Sequence, residues 1–366
     1  MEPTRLHKLI QALQLTTFNA IAINPGATLT YLTGMSFHLM ERPTLLFATR
    51  TAKVAMLLPQ SAAQKIAGSP IKGFFYGDNP AERLNALKAV FSYLGLKSGV
   101  IGVEPTRMRY LEMNLMQQAI STVEFLSAEG TLTSLRISKD AGEITLMRKA
   151  VEIAQAALAN TLPAIAVGVT EREIAAELVL QMMNLGGDPE LPFQPIVSSG
   201  PNGANPHATP SEKKLQSGEL VVIDWGAAYQ GYFSDLTRTL AISEVEPEYQ
   251  KIYELVKQAN ASARAVARPG IPAGDVDRAA RQVIENAGYG EYFNHRVGHG
   301  LGLEAHEEPY MYAENELILQ PGMTFTIEPG IYLPNRAGVR IEDNMVITEE
   351  SSESLSDFNR SMIIVG

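Results

Sequence analysis

The sequence predicts an α/β protein of two domains. At 366 residues the chain is long enough for each domain to bury its own core, and 45% hydrophobic with 19% charged residues is typical of a globular protein. Residues 1–130 alternate short apolar runs with helical segments, which is the pattern of an α/β domain. Residues 131–366 repeat a unit of helix, turn and helix, which indicates a second domain with two similar αβ halves.

The first domain begins with apolar residues at helical spacing. Leu6, Leu9, Ile10 and Leu13 predict an amphipathic helix and not a signal peptide. Strands are predicted at 20–23, 44–47, 54–58 and 99–103, with a helix over 81–94. The stretch 127–139 is polar and is expected to form turns at the boundary.

The second domain is predicted to contain a pseudo-twofold repeat. Helices over 140–162 and 171–184 flank a turn at Gly168, and a similar helix pair flanks Gly270 about a hundred residues later. This period is too long for a solenoid repeat. We expect two related halves with a functional site between them.

Composition excludes several classes of partner. The formal charge of −10 and the absence of a long basic run argue against nucleic acid. No apolar run approaches the roughly 20 residues of a membrane span. The chain has no cysteine, which excludes thiolate chemistry and fits the cytoplasm, where we expect the protein to reside.

The stretch 221–240 is predicted to be a hairpin with a two-residue loop at Tyr229 and Gln230. That register places Asp224 directly opposite Asp235, with Cβ atoms about 5 Å apart. Like charges so placed destabilise a sheet, so a bound cation is expected. The alternative is a bulge at Gly231 that leaves two ordinary surface acids.

Three further motifs carry candidate ligands. His299 lies in Gly-His-Gly-Leu-Gly-Leu, Glu328 interrupts a strand-like run before Pro-Gly, and Glu342 follows Val-Arg-Ile. Both glutamates are predicted to lie inside strands, and either one alone is more typical of an edge charge or an ion pair. With the two aspartates they give four carboxylates and one imidazole, which fits two divalent cations with shared ligands. Arg340 shares a strand face with Glu342 and is expected to orient a ligand carboxylate.

These ordered motifs resemble the dinuclear metallopeptidases of the pita-bread fold, which comprise prolidases, Xaa-Pro aminopeptidases and methionine aminopeptidases. The resemblance covers residues from about 135 to the C-terminus. Residues 1–130 more loosely resemble the creatinase-type N-terminal domain, which methionine aminopeptidases lack. The resemblance therefore implies an exopeptidase that cleaves the Xaa-Pro bond at the N-terminus of dipeptides or short peptides.

The resemblance also implies a role for each ligand. Asp224 would chelate one metal, Asp235 and Glu342 would bridge, and His299 with Glu328 would complete the second site. Glu328 would also shuttle a proton, and a hydroxide bridging the metals would attack the scissile carbonyl. The expected metal is manganese, with cobalt or zinc as alternatives, and the expected assembly is a homodimer.

Substrate contacts are expected from His207 and His306, whose motifs resemble those of the family's outer histidines. One position departs from the family pattern. Many prolidases carry an arginine after His-Glu-x-Pro that grips the dipeptide carboxylate, but Tyr310 stands there. Either longer peptides are accepted at least as well as dipeptides, or another basic residue supplies the charge, for which Arg42 of a partner subunit is a candidate.

Two other functions remain open at this point. A creatinase-like amidinohydrolase shares the two-domain shape but works without metals and does not retain the five ligands. A non-catalytic binding protein on the same fold typically loses at least one of them. Metal content and turnover of Ala-Pro, Ala-Pro-Ala and creatine would separate these alternatives.

Overall fold

The computed structural model describes residues 3–366, which form two compact units. The first unit ends at Arg136 and the second spans Ile137–Gly366. The division falls within the stretch 127–139, but the expectation that this stretch forms turns is wrong, because a helix at Glu129–Arg136 closes the first unit. Within the described residues, no helix combines the length and apolar character needed to cross a membrane.

The first unit is a mixed sheet covered by helices. Its strands are β1 (Ala20–Ile23), β2 (Leu45–Thr49), β3 (Val54–Pro59), β4 (Lys72–Tyr76), β5 (Gly99–Val103) and β6 (Val123–Ser127). Its helices are α1 (Pro3–Gln14), α2 (Ala27–Thr33), α3 (Pro80–Leu94), α4 (Tyr110–Ala119) and α5 (Glu129–Arg136). The strand order is β4-β3-β2-β1-β5-β6, in which β1 is buried throughout. An unbroken apolar run is expected for such a strand because both of its faces are covered.

The second unit contains two helix pairs and two larger sheets. Its helices are α6 (Ala141–Thr161), α7 (Glu171–Asn184), α8 (Pro247–Val266) and α9 (Ala273–Asn286). Its strands are β7 (Ile196–Ser199), β8 (Leu220–Trp225), β9 (Ala228–Tyr229), β10 (Tyr232–Phe233), β11 (Leu236–Ile242), β12 (Gly298–Gly300), β13 (Glu307–Met311), β14 (Thr324–Ile327), β15 (Gly330–Leu333), β16 (Ala337–Arg340), β17 (Asp343–Ile347), β18 (Ser352–Ser354) and β19 (Ile363–Val365). The sheet orders are β19-β11-β8-β7 and β13-β12-β14-β17-β18.

Each half of the second unit has its own core. Helices α6 and α7 pack with β7, β8 and β11, whereas α8 and α9 pack with β14 to β17. Both α6 and α7 start where the sequence predicts, because Asp140 and Thr170 cap them through side-chain bonds to the backbone N–H groups of Glu143 and Glu173.

The turns before α7 and α9 repeat each other in detail. Gly168 and Gly270 both have positive φ, and their N–H groups donate to Leu215 O and Leu319 O. The pairing continues through Glu171–Lys213 and Arg172–Ser211 in the first half, and through Ala273–Leu317 and Gly274–Asn315 in the second. The predicted α/β class with pseudo-twofold halves is therefore confirmed.

The hairpin of β8 to β11 has a different register from the predicted one. The loop residues are Gln230 and Gly231, both with positive φ, and Asp224 pairs with Thr237. The prediction that Asp235 lies directly opposite Asp224 is wrong, because glycine accommodates the second left-handed position of this turn. The register differs by two residues, and since side chains alternate, Asp235 keeps the same face as Asp224.

Candidate metal centre

The five candidate ligands lie where strands of the two halves end. Asp224 belongs to β8 and Asp235 directly precedes β11, whereas His299 is the middle residue of β12. Glu328 follows β14 and Glu342 precedes β17, so the prediction that both glutamates lie inside strands is wrong. Pro329 has no N–H to continue the ladder after Glu328. The N–H of Glu342 instead donates to Thr237 O in the other sheet.

The side chains of these residues form overlapping groups of potential ligand atoms. Asp224, Asp235 and Glu342 each place an oxygen within 4.8 Å of the other two, and His299, Glu328 and Glu342 form a second such group. The His299 Nε2 atom lies 3.3 Å from Glu328 Oε1 and 3.6 Å from Asp235 Oδ2. Glu342 belongs to both groups, and Asp235 joins a third group with His299 and His306.

The cluster concentrates negative charge that the protein alone does not balance. Burial raises the pKa of Asp224, Asp235 and Glu342, and repulsion among the carboxylates raises each pKa further. One buried oxygen on each of these three side chains has no hydrogen-bond partner among residues 3–366. Buried carboxylate oxygens without donors fit divalent cations, which would satisfy the free lone pairs and balance the charge.

His299 is oriented to offer its Nε2 lone pair. Its Nδ1 atom lies 3.1 Å from Gly300 O, so an Nδ1–H donor leaves Nε2 free to ligate. A Cβ at Gly298 would collide with Thr326 O, and one at Gly300 with Glu308 O. The two glycines are therefore needed because β12 runs tightly between β13 and β14.

Arg340 contacts a ligand carboxylate, although not that of Glu342. Its Nη2 donates to Asp224 Oδ2 at 2.5 Å, and its Nε donates to Thr237 Oγ1 at 3.1 Å. Thr237 in turn donates to Glu342 Oε2 at 2.7 Å. One arginine and one threonine thus orient ligands from both halves.

The partly buried His295 and the buried Tyr332 support this arrangement, and neither is singled out by a sequence motif. Tyr332 OH accepts from Arg340 Nη1 at 2.9 Å and lies 3.0 Å from His295 Nε2. Burial raises the pKa of Tyr332 to about 12, so its hydroxyl remains protonated and donates to His295. Burial also lowers the pKa of His295, which keeps the imidazole neutral as an acceptor. The sequence feature that marks His295 is the clustering of four of the six histidines between residues 207 and 306.

Two asparagines position the backbone at or beside the candidate metal ligands. The buried Asn260 of α8 donates from Nδ2 to Ile327 O at 3.1 Å and Ile341 O at 3.3 Å, the residues directly before Glu328 and Glu342. Asn344 accepts from the N–H of Asp235 and donates to its carbonyl. Neither residue has a sequence motif, because their partners lie 67 to 109 positions away.

The two outer histidines differ in their distance from the cluster. His306 packs its ring on that of His299, with centroids 3.9 Å apart, and part of its side chain stays open to solvent. Desolvation by neighbouring atoms, with the charge of Arg296, lowers the pKa of His306 to about 4. His207 is exposed and belongs to none of the candidate ligand groups among residues 3–366.

The two candidate substrate contacts have different surroundings. Tyr310 is half-buried in β13, and the Arg296 guanidinium lies 4.2 Å from its ring centroid. Arg42, in the first unit, lies 3.0 Å from Asp78 Oδ1 and 3.7 Å from Glu41 Oε1. The charge of Arg42 is therefore already shared by two carboxylates.

Comparisons with known proteins agree with this architecture. Residues 145–349 match the model of metallopeptidase family M24, and residues 5–138 match the Creatinase/Prolidase N-terminal domain. The chain is 40% identical over 285 residues to an Xaa-Pro dipeptidase of Pyrococcus horikoshii, covering 78% of this chain and 80% of the relative.

Two solved structures resemble the whole chain. A dipeptidase from Pyrococcus horikoshii matches with a TM-score of 0.94 at 39% identity, covering 99% of this chain and 100% of the other. A prolidase from Thermococcus sibiricus matches with a TM-score of 0.95 at 34% identity, with both chains fully covered. The chain is thus a member of metallopeptidase family M24 that carries a Creatinase/Prolidase N-terminal domain.

Proposed function

We propose that this protein hydrolyses the Xaa-Pro bond of dipeptides or short peptides with two divalent ions held by Asp224, Asp235, His299, Glu328 and Glu342. The observation that carries the proposal is the pair of ligand groups that share Glu342, with unsatisfied buried oxygens in one of them. The relatives described as an Xaa-Pro dipeptidase and a prolidase support the choice of bond.

The donor set favours manganese, with cobalt or zinc as alternatives. Four carboxylates and one imidazole form an oxygen-rich site, and four negative charges balance two doubly charged cations. Asp235 and Glu342 would hold both ions, Asp224 would complete the first site, and His299 with Glu328 would complete the second. When bound, such ions lower the pKa of water and polarise the substrate carbonyl.

Glu328 is suited to move the proton. Burial would raise its pKa, but without metal a hydrogen bond from His299 and the charge of Arg340 outweigh burial and lower the pKa to about 2. When His299 ligates an ion instead, the cation would keep the carboxylate ionised. The carboxylate is therefore ionised at neutral pH and can accept a proton from the attacking water. It would return that proton to the proline nitrogen, so that the amide breaks to give an acid and a secondary amine.

His306 is suited to stabilise the oxyanion. Its pKa of about 4 makes the ring neutral at neutral pH, with one N–H to donate to the carbonyl oxygen as negative charge develops. His207 is exposed and would donate to the peptide further out. Each such donor is typically worth about 2.7 to 4 kcal/mol of transition-state stabilisation.

A substrate panel on manganese-loaded protein tests the function. Ala-Pro should be hydrolysed, and Ala-Ala should be cleaved at least 10-fold less efficiently. Creatine should be untouched, because the amidinohydrolase works without metals and this cluster needs them. Hydrolysis of creatine by metal-stripped protein would instead establish the amidinohydrolase, and binding without turnover would establish a binding protein.

We also propose that the protein is a cytoplasmic homodimer. The absence of cysteine supports a reducing compartment, and the resemblance to two-domain prolidases supports the dimer. Cell fractionation tests the location, and light scattering coupled to gel filtration tests the mass in solution.

A further inference from the structure

Arg296 is a half-buried cation without an anionic partner. Other arginines of this unit with restricted exposure pair with carboxylates: Arg238 with Asp343, Arg340 with Asp224, and Arg281 with Asp277. Within residues 3–366 Arg296 forms no ion pair, and its guanidinium instead lies 4.2 Å from the Tyr310 ring centroid. A cation that is partly shielded from water and lacks a counter-ion is suited to an anion from outside the chain.

The position of Arg296 relates it to the metal centre. It lies three residues before His299, and the adjacent Val297 N–H donates to Met311 O, which places the chain beside β13 and Tyr310. Gly298, next to His299, pairs with Met311, the residue after Tyr310. Arg296 and Tyr310 therefore lie on the β13 side of His299.

The contact with Tyr310 leaves the guanidinium able to bind. A ring face attracts the face of the guanidinium, whereas the five N–H donors project in its plane. The planar fork matches the two oxygens of a carboxylate, and a stacked arginine loses less rotamer freedom when it binds.

We propose that Arg296, held by Tyr310, receives the free carboxylate of an Xaa-Pro dipeptide and so determines specificity for dipeptides. The inference rests on the proposed function, because the carboxylate in question belongs to the residue after the scissile bond. The expectation that tripeptides are accepted at least as well as dipeptides assumed no cation at Tyr310. The structure places one against that ring, so Arg42 of a partner subunit is not required.

The test compares Ala-Pro with Ala-Pro-amide, which differ in charge only at this carboxylate. The Arg296→Met variant keeps much of the side-chain volume and removes the charge. It should lower kcat/KM for Ala-Pro about 10- to 100-fold, mainly through KM, and change the value for the amide less than 3-fold. Arg296→Lys should recover part of the loss, and metal content should stay at the wild-type level.

A matched pair of variants tests the role of the ring. Tyr310→Phe retains the face under the guanidinium and should preserve the preference of Ala-Pro over the amide. Tyr310→Leu removes the face and should reduce that preference, because Arg296 then loses its fixed orientation.

The outcomes separate this inference from the proposed function. If wild type cleaves Ala-Pro but Arg296→Met weakens both substrates equally, Arg296 has a structural role and the inference is overturned. If wild type cleaves neither substrate, the proposed function fails. Calorimetry then compares the affinities of the protein for Ala-Pro and for Ala-Pro-amide, and this comparison tests the role of Arg296. Tighter binding of Ala-Pro than of its amide, lost in Arg296→Met, would support it; equal binding or none would overturn it.

Discussion

Among the candidate carboxylate ligands, Asp235 and Glu342 each belong to two groups of close donor atoms, whereas Asp224 and Glu328 each belong to one. One oxygen of each is buried without a hydrogen-bond partner among residues 3–366. A carboxylate in that position can contact two cations at once. Its loss should therefore affect both ions, whereas Asp224 belongs to a single group.

We predict that Asp235→Asn abolishes hydrolysis of Ala-Pro and lowers the bound metal by close to two equivalents per chain. The amide is neutral and cannot bridge two cations as the carboxylate does. Elemental analysis after gel filtration measures the metal, with Asp357→Asn, an exposed aspartate, as the control. Retention of both ions by Asp235→Asn would remove Asp235 from the bridging role.

His207→Ala and His306→Ala should retain the metals and lower kcat. The reason is that each histidine would act on the substrate, and loss of one oxyanion donor typically costs about 100- to 1000-fold in kcat. His306 is the sharper case, because one of its nitrogens also lies within 4.8 Å of ligand atoms of Asp235 and His299. Loss of metal from the His306→Ala variant would show that His306 is a metal ligand. The control is His38→Ala, which changes an exposed histidine of the first unit.

The sequence identified every member of the two ligand groups through local motifs such as Gly-His-Gly and Ile-Glu-Pro-Gly. It did not identify Thr237, Asn260 or Asn344, which form buried hydrogen bonds to those residues or to the backbone beside them. Their partners lie far away in the chain, so no local pattern marks them. The Arg296 contact with Tyr310 was missed for the same reason, since it depends on the pairing of β12 with β13.

At the scale of elements, helix α8 connects to the metal centre through a single amide. Asn260 donates to the carbonyls that precede Glu328 and Glu342, and Arg264 Nε donates to Asn260 Oδ1 at 2.8 Å. The helix thus fixes the exits of β14 and β16, where the two glutamates leave the strands.

Asn260→Ala should weaken metal binding by about 10- to 100-fold, as is typical when a residue that orients a ligand is lost. Two buried carbonyls would also lose a donor, so the free energy of unfolding should fall by about 1 to 3 kcal/mol. Competition with a metal-binding dye and urea denaturation measure the two effects. The exposed Gln258→Ala on the same helix is the control; unchanged affinity in Asn260→Ala would show that α8 does not orient the ligands.

The elements that the sequence predicted best have strong local signals. Capping boxes at Asp140 and Thr170 set the starts of α6 and α7, and fully apolar runs located β1 and β5. The hairpin register was wrong because Gln230, a residue without a strong turn preference, occupies a left-handed position before Gly231. Helix α5 was missed because its polar residues are typical of turns.

At the scale of the whole molecule, each half of the second unit supplies part of the site. Asp224 and Asp235 come from the first half, and the other three candidate ligands come from the second. A buried charge cluster joins the halves: Asp343 of β17 binds Arg238 of β11 at 3.0 Å and Arg360 at 2.7 Å. Arg238 also donates to the carbonyls of Phe358 and Asn359.

Asp343→Asn should lower the free energy of unfolding by about 3 to 5 kcal/mol at pH 7, because buried arginines would lose their counter-ion. Burial alone would raise the pKa of Asp343, but Arg238 and Arg360 outweigh it and lower the pKa below its usual 3.8. The unfolded state therefore binds more protons, so this contribution is full above about pH 5 and is lost as the pH falls through the folded pKa.

Urea denaturation across pH 3 to 7 measures this difference. The gap between wild type and Asp343→Asn should be constant above about pH 5 and narrow below about pH 4. Asp357→Asn again serves as the exposed control. A gap that widens with acidification would show that the ion pairs do not stabilise the fold.

If the five-residue cluster is a dinuclear centre for Xaa-Pro hydrolysis, turnover requires two metal ions per chain. To measure this requirement, metal-free protein is titrated with Mn²⁺ while the initial rate on Ala-Pro is recorded at each ratio of metal to chain. We expect no turnover without metal and a plateau at about two equivalents per chain. Full turnover in the chelated protein, or a plateau at one equivalent, would show that the cluster is not a catalytic dinuclear centre.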